Sequence, residues 1–255
     1  MSIAPQYLSG EYQEKNPLFH AEDSPWKARQ IRKMLELQGA LPRRIAEVGC
    51  GAGEILVQLA KVYPQAVFEG FELSPQGFKL CRQRETERIR FFNRDFCADN
   101  APVYDIVLCI DVFEHVEDCL AFLRALRRKG KAFIFHIPLD MNVQMVLRSS
   151  PILMVRSTVG HLHYFSKDTA LATLEDAGYA VRSWFYTPNN VERPKSGKAR
   201  LLRLPRRMLF SIHKDLTVRL LGGYALLVYA FPADQAAPPT ETLPGADRQV
   251  AVPRA

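Results

Sequence analysis

Short apolar runs and stretches of helical period alternate along the middle of this chain. "RRIAEVG" (43–49), "AVFEGFELS" (66–74), "IRFFNRDF" (89–96), "YDIVLCIDVF" (104–113) and "KAFIFHIP" (131–138) read as five strands. Between them, "EILVQLAKVYP" predicts a helix stopped at Pro64, and "SPQGFKLCRQRE" one capped by Ser74 with Pro75 in its first turn. "VEDCLAFLRALRRKG" predicts a helix ended by Gly130. In "SKDTALATLEDAGY", Ser166 is the expected N-cap and Gly178 lies just past the end. "AVRSWFY" and "YALLVYAF" supply two further strands. Alternation of this kind argues for an α/β domain, a doubly wound sheet of seven strands with helices on both faces.

Three regions fall outside the pattern. Residues 1–40 form an N-terminal arm and lid helix, with Ser24 as expected cap and Pro25 as first helical residue. Residues 138–165 make a long connection after the fifth strand. Residues 187–222 are inserted between strands six and seven, where a hairpin needs only a few residues. The domain is therefore expected over 41–231, followed by an Ala- and Pro-rich tail, 232–255, expected to be disordered.

Composition narrows the class. A chain of 255 residues with 47% hydrophobic content builds one large domain with a real core. Its five cysteines form no CxxC pair and no zinc-ligand spacing, as expected of free thiols in a reducing compartment. The N-terminus lacks a signal-peptide pattern, and no run of 18 apolar residues exists, so the expectation is a cytoplasmic protein. The net charge of +7 is local. Residues 187–231 hold nine bases (Arg193, Lys195, Lys198, Arg200, Arg203, Arg206, Arg207, Lys214 and Arg219) and two acids; the rest is neutral.

Candidate chemistry begins at "EVGCGAG", where a strand meets a helix. Gly49, Gly51 and Gly53 let the backbone pass close to a ligand. A dinucleotide site wants G-x-G-x-x-G with a helix N-terminus free for pyrophosphate. Here the spacing is G-x-G-x-G and Glu47 stands two residues before it. A carboxylate is unfavourable beside pyrophosphate and favourable beside an amine or a sulfonium. Glu72, 19 residues after Gly53, can accept both hydroxyls of a ribose.

These motifs resemble those of the class I S-adenosylmethionine-dependent methyltransferases. "EVGCGAG", with Glu47, Gly49, Cys50, Gly51 and Gly53, is similar to their first motif. "FELSP", with Glu72 and Leu73, resembles the stretch that holds the ribose, and "NRDF", with Asp95 and Phe96, the stretch at the adenine. "YDIVLCIDVFEHVED", with Asp111, resembles the fourth strand and its loop. The resemblance covers about residues 40–186 and 222–231. It implies a Rossmann-like sheet, mostly parallel with an antiparallel last strand. It also implies S-adenosylmethionine as cofactor, with S-adenosylhomocysteine as product.

The acceptor is less well marked. His115 follows strand four and is placed at the cofactor's methionine end, either as a catalytic group or as a packing residue. Asp111, Glu114 and His115 have the spacing D-x-x-E-H, similar to the E-x-x-E-H with which quinone-pathway O-methyltransferases hold a divalent metal. That metal remains an alternative; the site reading takes none. In "GHLHYFSKDT", His161 and His163 alternate, so an extended segment points both the same way as candidate bases. Tyr7, Tyr12, Phe19, His20 and Trp26 are candidates to close over the site.

In the basic insertion, Met208, Leu209, Ile212 and Leu216 follow helical spacing, with Arg206, Arg207 and Lys214 largely off the stripe. Three readings stand: a helix packing its apolar stripe on the domain, a cap for an anionic acceptor, or a peripheral membrane contact through 200–221. Nucleic acid is disfavoured, because the patch is short and has little aromatic interleaving. The expected function is methyl transfer to a small-molecule hydroxyl on a sugar, quinone-like or other secondary metabolite. A small amine acceptor, RNA, and a non-catalytic cofactor-binding protein are the alternatives. The oligomeric state is left open.

Overall fold

The computed structural model describes residues 9–98, 103–192, 197–201 and 203–235. Among the described residues, two α-helices, α1 (Glu11–Lys15) and α2 (Ser24–Leu37), precede the sheet. Then follow β1 (Arg44–Val48), α3 (Glu54–Ala60), β2 (Val67–Phe71), α4 (Pro75–Cys81), β3 (Ile89–Phe92) and β4 (Tyr104–Ile110). Next come α5 (Cys119–Leu126), β5 (Gly130–Pro138), α6 (Val143–Arg148), α7 (Ser150–Thr158), α8 (Lys167–Asp176) and β6 (Tyr179–Thr187). The described residues of the insertion include four helices: α9 (Asn189–Glu192), α10 (Gly197–Leu201), α11 (Arg203–Ile212) and α12 (Lys214–Leu221). β7 (Ala225–Pro232) closes the sheet.

All seven strands join one sheet in the order β3-β2-β1-β4-β5-β7-β6. β7 alone runs antiparallel to its neighbours, as the resemblance implies. Strand order reverses between β1 and β4, so a crevice opens there beyond the carboxyl ends of the strands. The sheet is buried on both faces. On β5, Phe133 and Phe135 enter one hydrophobic cluster and Ile134 between them enters the other, which α2 and α3 cover with Ile31, Leu35 and Leu56.

Local signals account for several helix starts. Ser74 Oγ accepts the Gly77 N–H at 3.3 Å, and Ser166 forms a capping box with Thr169. Gly178 takes φ 88° past the end of α8. Ser24 departs from its expected role: α2 begins at Ser24 itself, and its hydroxyl bonds the His20 carbonyl. Gly130 ends the helical stretch as expected, capping the 3₁₀ turn Arg127–Lys129 that extends α5, and also opens β5, while "NRDF" lies in the loop after β3.

The connection after β5 is also more ordered than expected. Asn142 caps α6 by accepting the Met145 N–H, and Pro151 sits in the first turn of α7. The arm reaches this region: Lys15 Nζ bonds the Ser157 carbonyl at 2.9 Å, and Asn16 Nδ2 bonds that of Thr158 at 3.2 Å. In the insertion the apolar stripe does not pack on the domain, which removes the first of its three readings. On α11, Met208 and Ile212 are 67% and 79% exposed, whereas Arg206 is 5% exposed. Tyr7, Arg193, Lys195 and the tail beyond residue 235 lie outside the described residues.

Candidate active site

β1 ends in the glycine turn. A Cβ on Gly49 would stand 2.9 Å from Val112, and one on Gly53 would stand 2.5 Å from the Phe91 ring; both residues have positive φ. The turn then wraps onto the end of β2. Glu72 accepts the Gly51 N–H through Oε2 at 2.7 Å and the Ser74 N–H through Oε1 at 2.8 Å. Asn93 Nδ2 fixes the following loop by donating to the Glu72 and Leu73 carbonyls at 2.7 and 3.1 Å.

Beyond these strand ends lies a cavity of about 520 Å³. Glu47, Gly49, Cys50 and Gly51 line one side. Glu72, Leu73, Asp95 and Phe96 line the next, and Asp111, His115 and His161 face them. Tyr12, Phe19 and His20 of the arm also line it. Gly53 does not: its Cβ-free surface serves contact with Phe91 and Cys81. Trp26 stays outside too, donating Nε1–H to Glu192 at 2.6 Å.

Charge in the cavity is unevenly compensated. Glu47 is 2% exposed, and its Oε2 has no hydrogen-bond partner. Burial pushes its carboxyl well above the usual range, although Lys27 opposes this. Burial raises Glu72 as well, against the N–H bonds of Ser74 and Gly51. Asp111 is the opposite case. Its carboxylate lies 2.5 Å from His136 Nδ1 and 2.6 Å from Lys27 Nζ. Burial opposes its ionisation, but His136 and Lys27 outweigh that and hold it well below the usual range.

Four histidines line the cavity: His20, His115, His136 and His161. His136 is committed at both nitrogens, to Asp111 and to Thr187 Oγ1 at 2.9 Å. His115 packs edge-on to the His161 ring, with centroids 4.7 Å apart. Burial and the neighbouring His161 push its pKa down to about 3, so it is neutral at physiological pH. His161 Nδ1 lies 2.6 Å from Asp140 Oδ2. A carboxylate only accepts, so with neutral imidazole Nδ1 carries the proton and Nε2 presents its lone pair. His163 does not share this site: its Nε2 bonds the Val116 and Glu117 carbonyls, and its ring lines no part of the cavity. The segment is not a flat strand, so alternation did not put both rings on one side.

The D-x-x-E-H set is not assembled either, because Asp111 turns to Lys27 and His136. Ligand atoms of Glu114, His115 and His161 instead lie within 4.8 Å of one another. Glu114 is 1% exposed; neither oxygen has a hydrogen-bond partner, Oε1 lies 3.8 Å from His115 Nε2, and burial and Asp111 raise its carboxyl well above the usual range.

Residues 20–183 match a family model described as a methyltransferase domain. This chain belongs to the class I S-adenosylmethionine-dependent methyltransferases. Among relatives of this methyltransferase is the ubiquinone biosynthesis O-methyltransferase of Vibrio vulnificus (strain YJ016), 30% identical over 118 residues. That match covers 43% of this chain and 49% of the relative, so the chain spans about half the length of that protein. The enzyme of the same name from Bordetella avium (strain 197N) is 29% identical over 178 residues, covering 60% of this chain and 70% of the relative. Magnesium protoporphyrin IX methyltransferase from Synechocystis PCC 6803, solved with bound S-adenosylhomocysteine, shares the fold. Its TM-score is 0.54 at 18% identity, over 81% of each chain.

The cavity of this methyltransferase suits its family's cofactor on its own evidence. A backbone turn closed by glycines, a buried carboxylate at the end of β2 and Glu47, buried with Oε2 unbonded, fit a ligand with a ribose and a cationic donor. Lys27, His136 and Asp140 were not among the sequence candidates. His136 hides in the apolar run of β5, and Lys27 and Asp140 reach the site only through the docking of α2 and the loop after β5.

Proposed function

We propose that this chain is an O-methyltransferase that moves a methyl group from S-adenosylmethionine to a hydroxyl of a small-molecule acceptor, with His161 as general base. The observation that carries the reading is the His161–Asp140 pair, set in the wall of the cavity that the glycine turn and Glu72 also build. S-adenosylmethionine supplies a methyl group on positively charged sulfur and leaves as S-adenosylhomocysteine.

The protein's part is binding, orientation and one proton. Glu72 holds the ribose hydroxyls; each of its oxygens accepts one N–H and keeps a lone pair. Asp95 and Phe96 flank the adenine, Leu73 adds apolar wall, and Gly49, Cys50 and Gly51 bring backbone close to the ligand. Glu47, buried with Oε2 unbonded, offers an acceptor at the methionine end, and a cationic group there favours its ionised form. His161 takes the acceptor's proton on Nε2 as the oxygen–methyl bond forms. Asp140 holds that tautomer and stabilises the imidazolium; a positioned base of this kind contributes roughly 10²–10⁴-fold. His115, held neutral, is a positioning residue that packs against His161.

For the acceptor, the names of the relatives support a quinone-like hydroxyl within the wider class of sugar and secondary-metabolite hydroxyls. Met145, Met154 and Val155 give the cavity an apolar wall that fits a ring or an aliphatic tail. The test is transfer of labelled methyl to a panel of hydroxylated aromatic, sugar and amine acceptors. Label on a hydroxyl, with equal release of S-adenosylhomocysteine, is expected. Label confined to amines would contradict the assignment of a base, because an unprotonated amine needs none.

A further inference from the structure

The insertion is amphipathic in reverse. On α11, Leu204, Met208 and Ile212 recur at four-residue steps, and all are exposed. The opposite face carries Arg206 and Phe210 against the body. Arg206 donates to the Leu221 carbonyl at 2.8 Å, and Phe210 stacks on Tyr224 with centroids 4.6 Å apart. The apolar surface continues over neighbouring helices. Leu216 and Leu220 on α12 are exposed, α12 packs on α6, and Gln144 of α6 donates to the Leu221 carbonyl. On α6 and α7, Leu147 and Leu153 are 80% and 63% exposed. Large aliphatic side chains gathered on one set of contacting helices mark a surface that is normally covered.

The charges say what covers it. Arg148, Arg156, Arg203, Arg207 and Lys214 are exposed on these helices and make no ion pair among the described residues. The acid among them, Asp215, is committed to Lys167 and Tyr186. A second copy of this chain would bring two basic surfaces together, which is unfavourable. Nucleic acid would leave the leucines and methionine against phosphate. An anionic bilayer satisfies both features, with aliphatic side chains below the headgroups and arginines among the lipid phosphates. No described helix is long and apolar enough to cross a membrane, so this contact is peripheral.

We propose that α6, α7, α11 and α12 form a docking face for an anionic lipid bilayer, set at the wall of the active-site cavity. The site and the face share α7: Met154 and Val155 line the cavity on the helix that carries exposed Leu153 and Arg156. An acceptor with an aliphatic tail reaches the cavity from the membrane without crossing water. The face itself follows from exposure and charge and does not depend on which hydroxyl is methylated.

The experiment is vesicle co-sedimentation of the full chain, with phosphatidylcholine alone and with phosphatidylcholine containing phosphatidylglycerol. Binding only to the anionic vesicles, weakening as salt rises, is expected. The double variant Met208→Asp, Ile212→Asp lies outside the cavity and should lose at least about tenfold in vesicle affinity. Its melting temperature and S-adenosylhomocysteine affinity should stay at wild-type values. Arg207→Glu should weaken binding with less salt dependence left. Wild-type protein that stays in the supernatant with anionic vesicles, or dimers on light scattering that the double variant abolishes, would overturn the proposal. Vesicle binding is read without turnover, so failure of the docking face and failure of the methyl-transfer assignment are separate results.

Discussion

Asp140 Oδ2 lies 2.6 Å from Nδ1 of His161, across 21 residues of chain. The carboxylate decides which imidazole nitrogen is basic. Asp140→Asn offers an amide N–H to Nδ1, favours the other tautomer and moves the proton to Nε2. We expect a fall in kcat of about 10²-fold or more, with cofactor affinity unchanged. Steady-state kinetics beside calorimetry with S-adenosylhomocysteine check this. A matched loss of cofactor affinity would make Asp140 a structural residue.

Glu72 ties the glycine turn to β2 and is the assigned ribose partner. Glu72→Ala should lower cofactor affinity by roughly 1.5–3 kcal/mol, the range for a charge-assisted hydrogen bond. Glu72→Gln keeps one acceptor oxygen and should lose less. Equal affinity in wild type and Glu72→Ala by calorimetry would remove the assignment.

Asp111 sets an acid-side dependence of stability. Its folded-state pKa is depressed, so its contribution is present above the unfolded value of about 3.9 and disappears as pH falls below that. Asp111→Asn leaves Lys27 without its counter-charge in the cavity wall. We expect it to cost roughly 2–3 kcal/mol at neutral pH, with the gap to wild type closing below about pH 4. Denaturant titrations across pH measure this. A gap that persists unchanged at low pH would assign the cost to packing.

Methyl transfer should survive chelation. Asp111 is paired with Lys27 and His136, and burial and the Asp111 charge push the Glu114 carboxyl well above its usual range, which disfavours the ionised form a metal ligand needs. Full activity after dialysis against EDTA is expected. Loss on chelation that added divalent metal restores would put an ion among Glu114, His115 and His161 in place of a free base.

Much of this architecture is legible in sequence because it is locally encoded. The β1 turn takes positive φ at Gly49, Gly51 and Gly53, a demand that the glycines state directly, and Ser74 and Ser166 cap the helices they directly precede. The site is only half legible. His161 is a visible candidate, but its partner Asp140 comes from a different turn of the same connection, and His163 two residues on bonds backbone instead. Asp111 meets His136 through the pairing of β4 with β5, and Lys27 only because α2 docks over the sheet. Periodicity also finds the stripe on α11 without saying which side meets the body. There Arg206 turns inward to bond a carbonyl, and the aliphatic side chains are left outside.

The most direct test of the base is His161→Gln, measured as single-turnover methyl transfer over a range of pH beside S-adenosylhomocysteine affinity. Cofactor affinity should stay at the wild-type value while transfer falls by roughly 10²–10⁴-fold and is partly restored at high pH, where the acceptor hydroxyl ionises unaided. Transfer at the wild-type rate with the same pH profile would contradict His161 as the base.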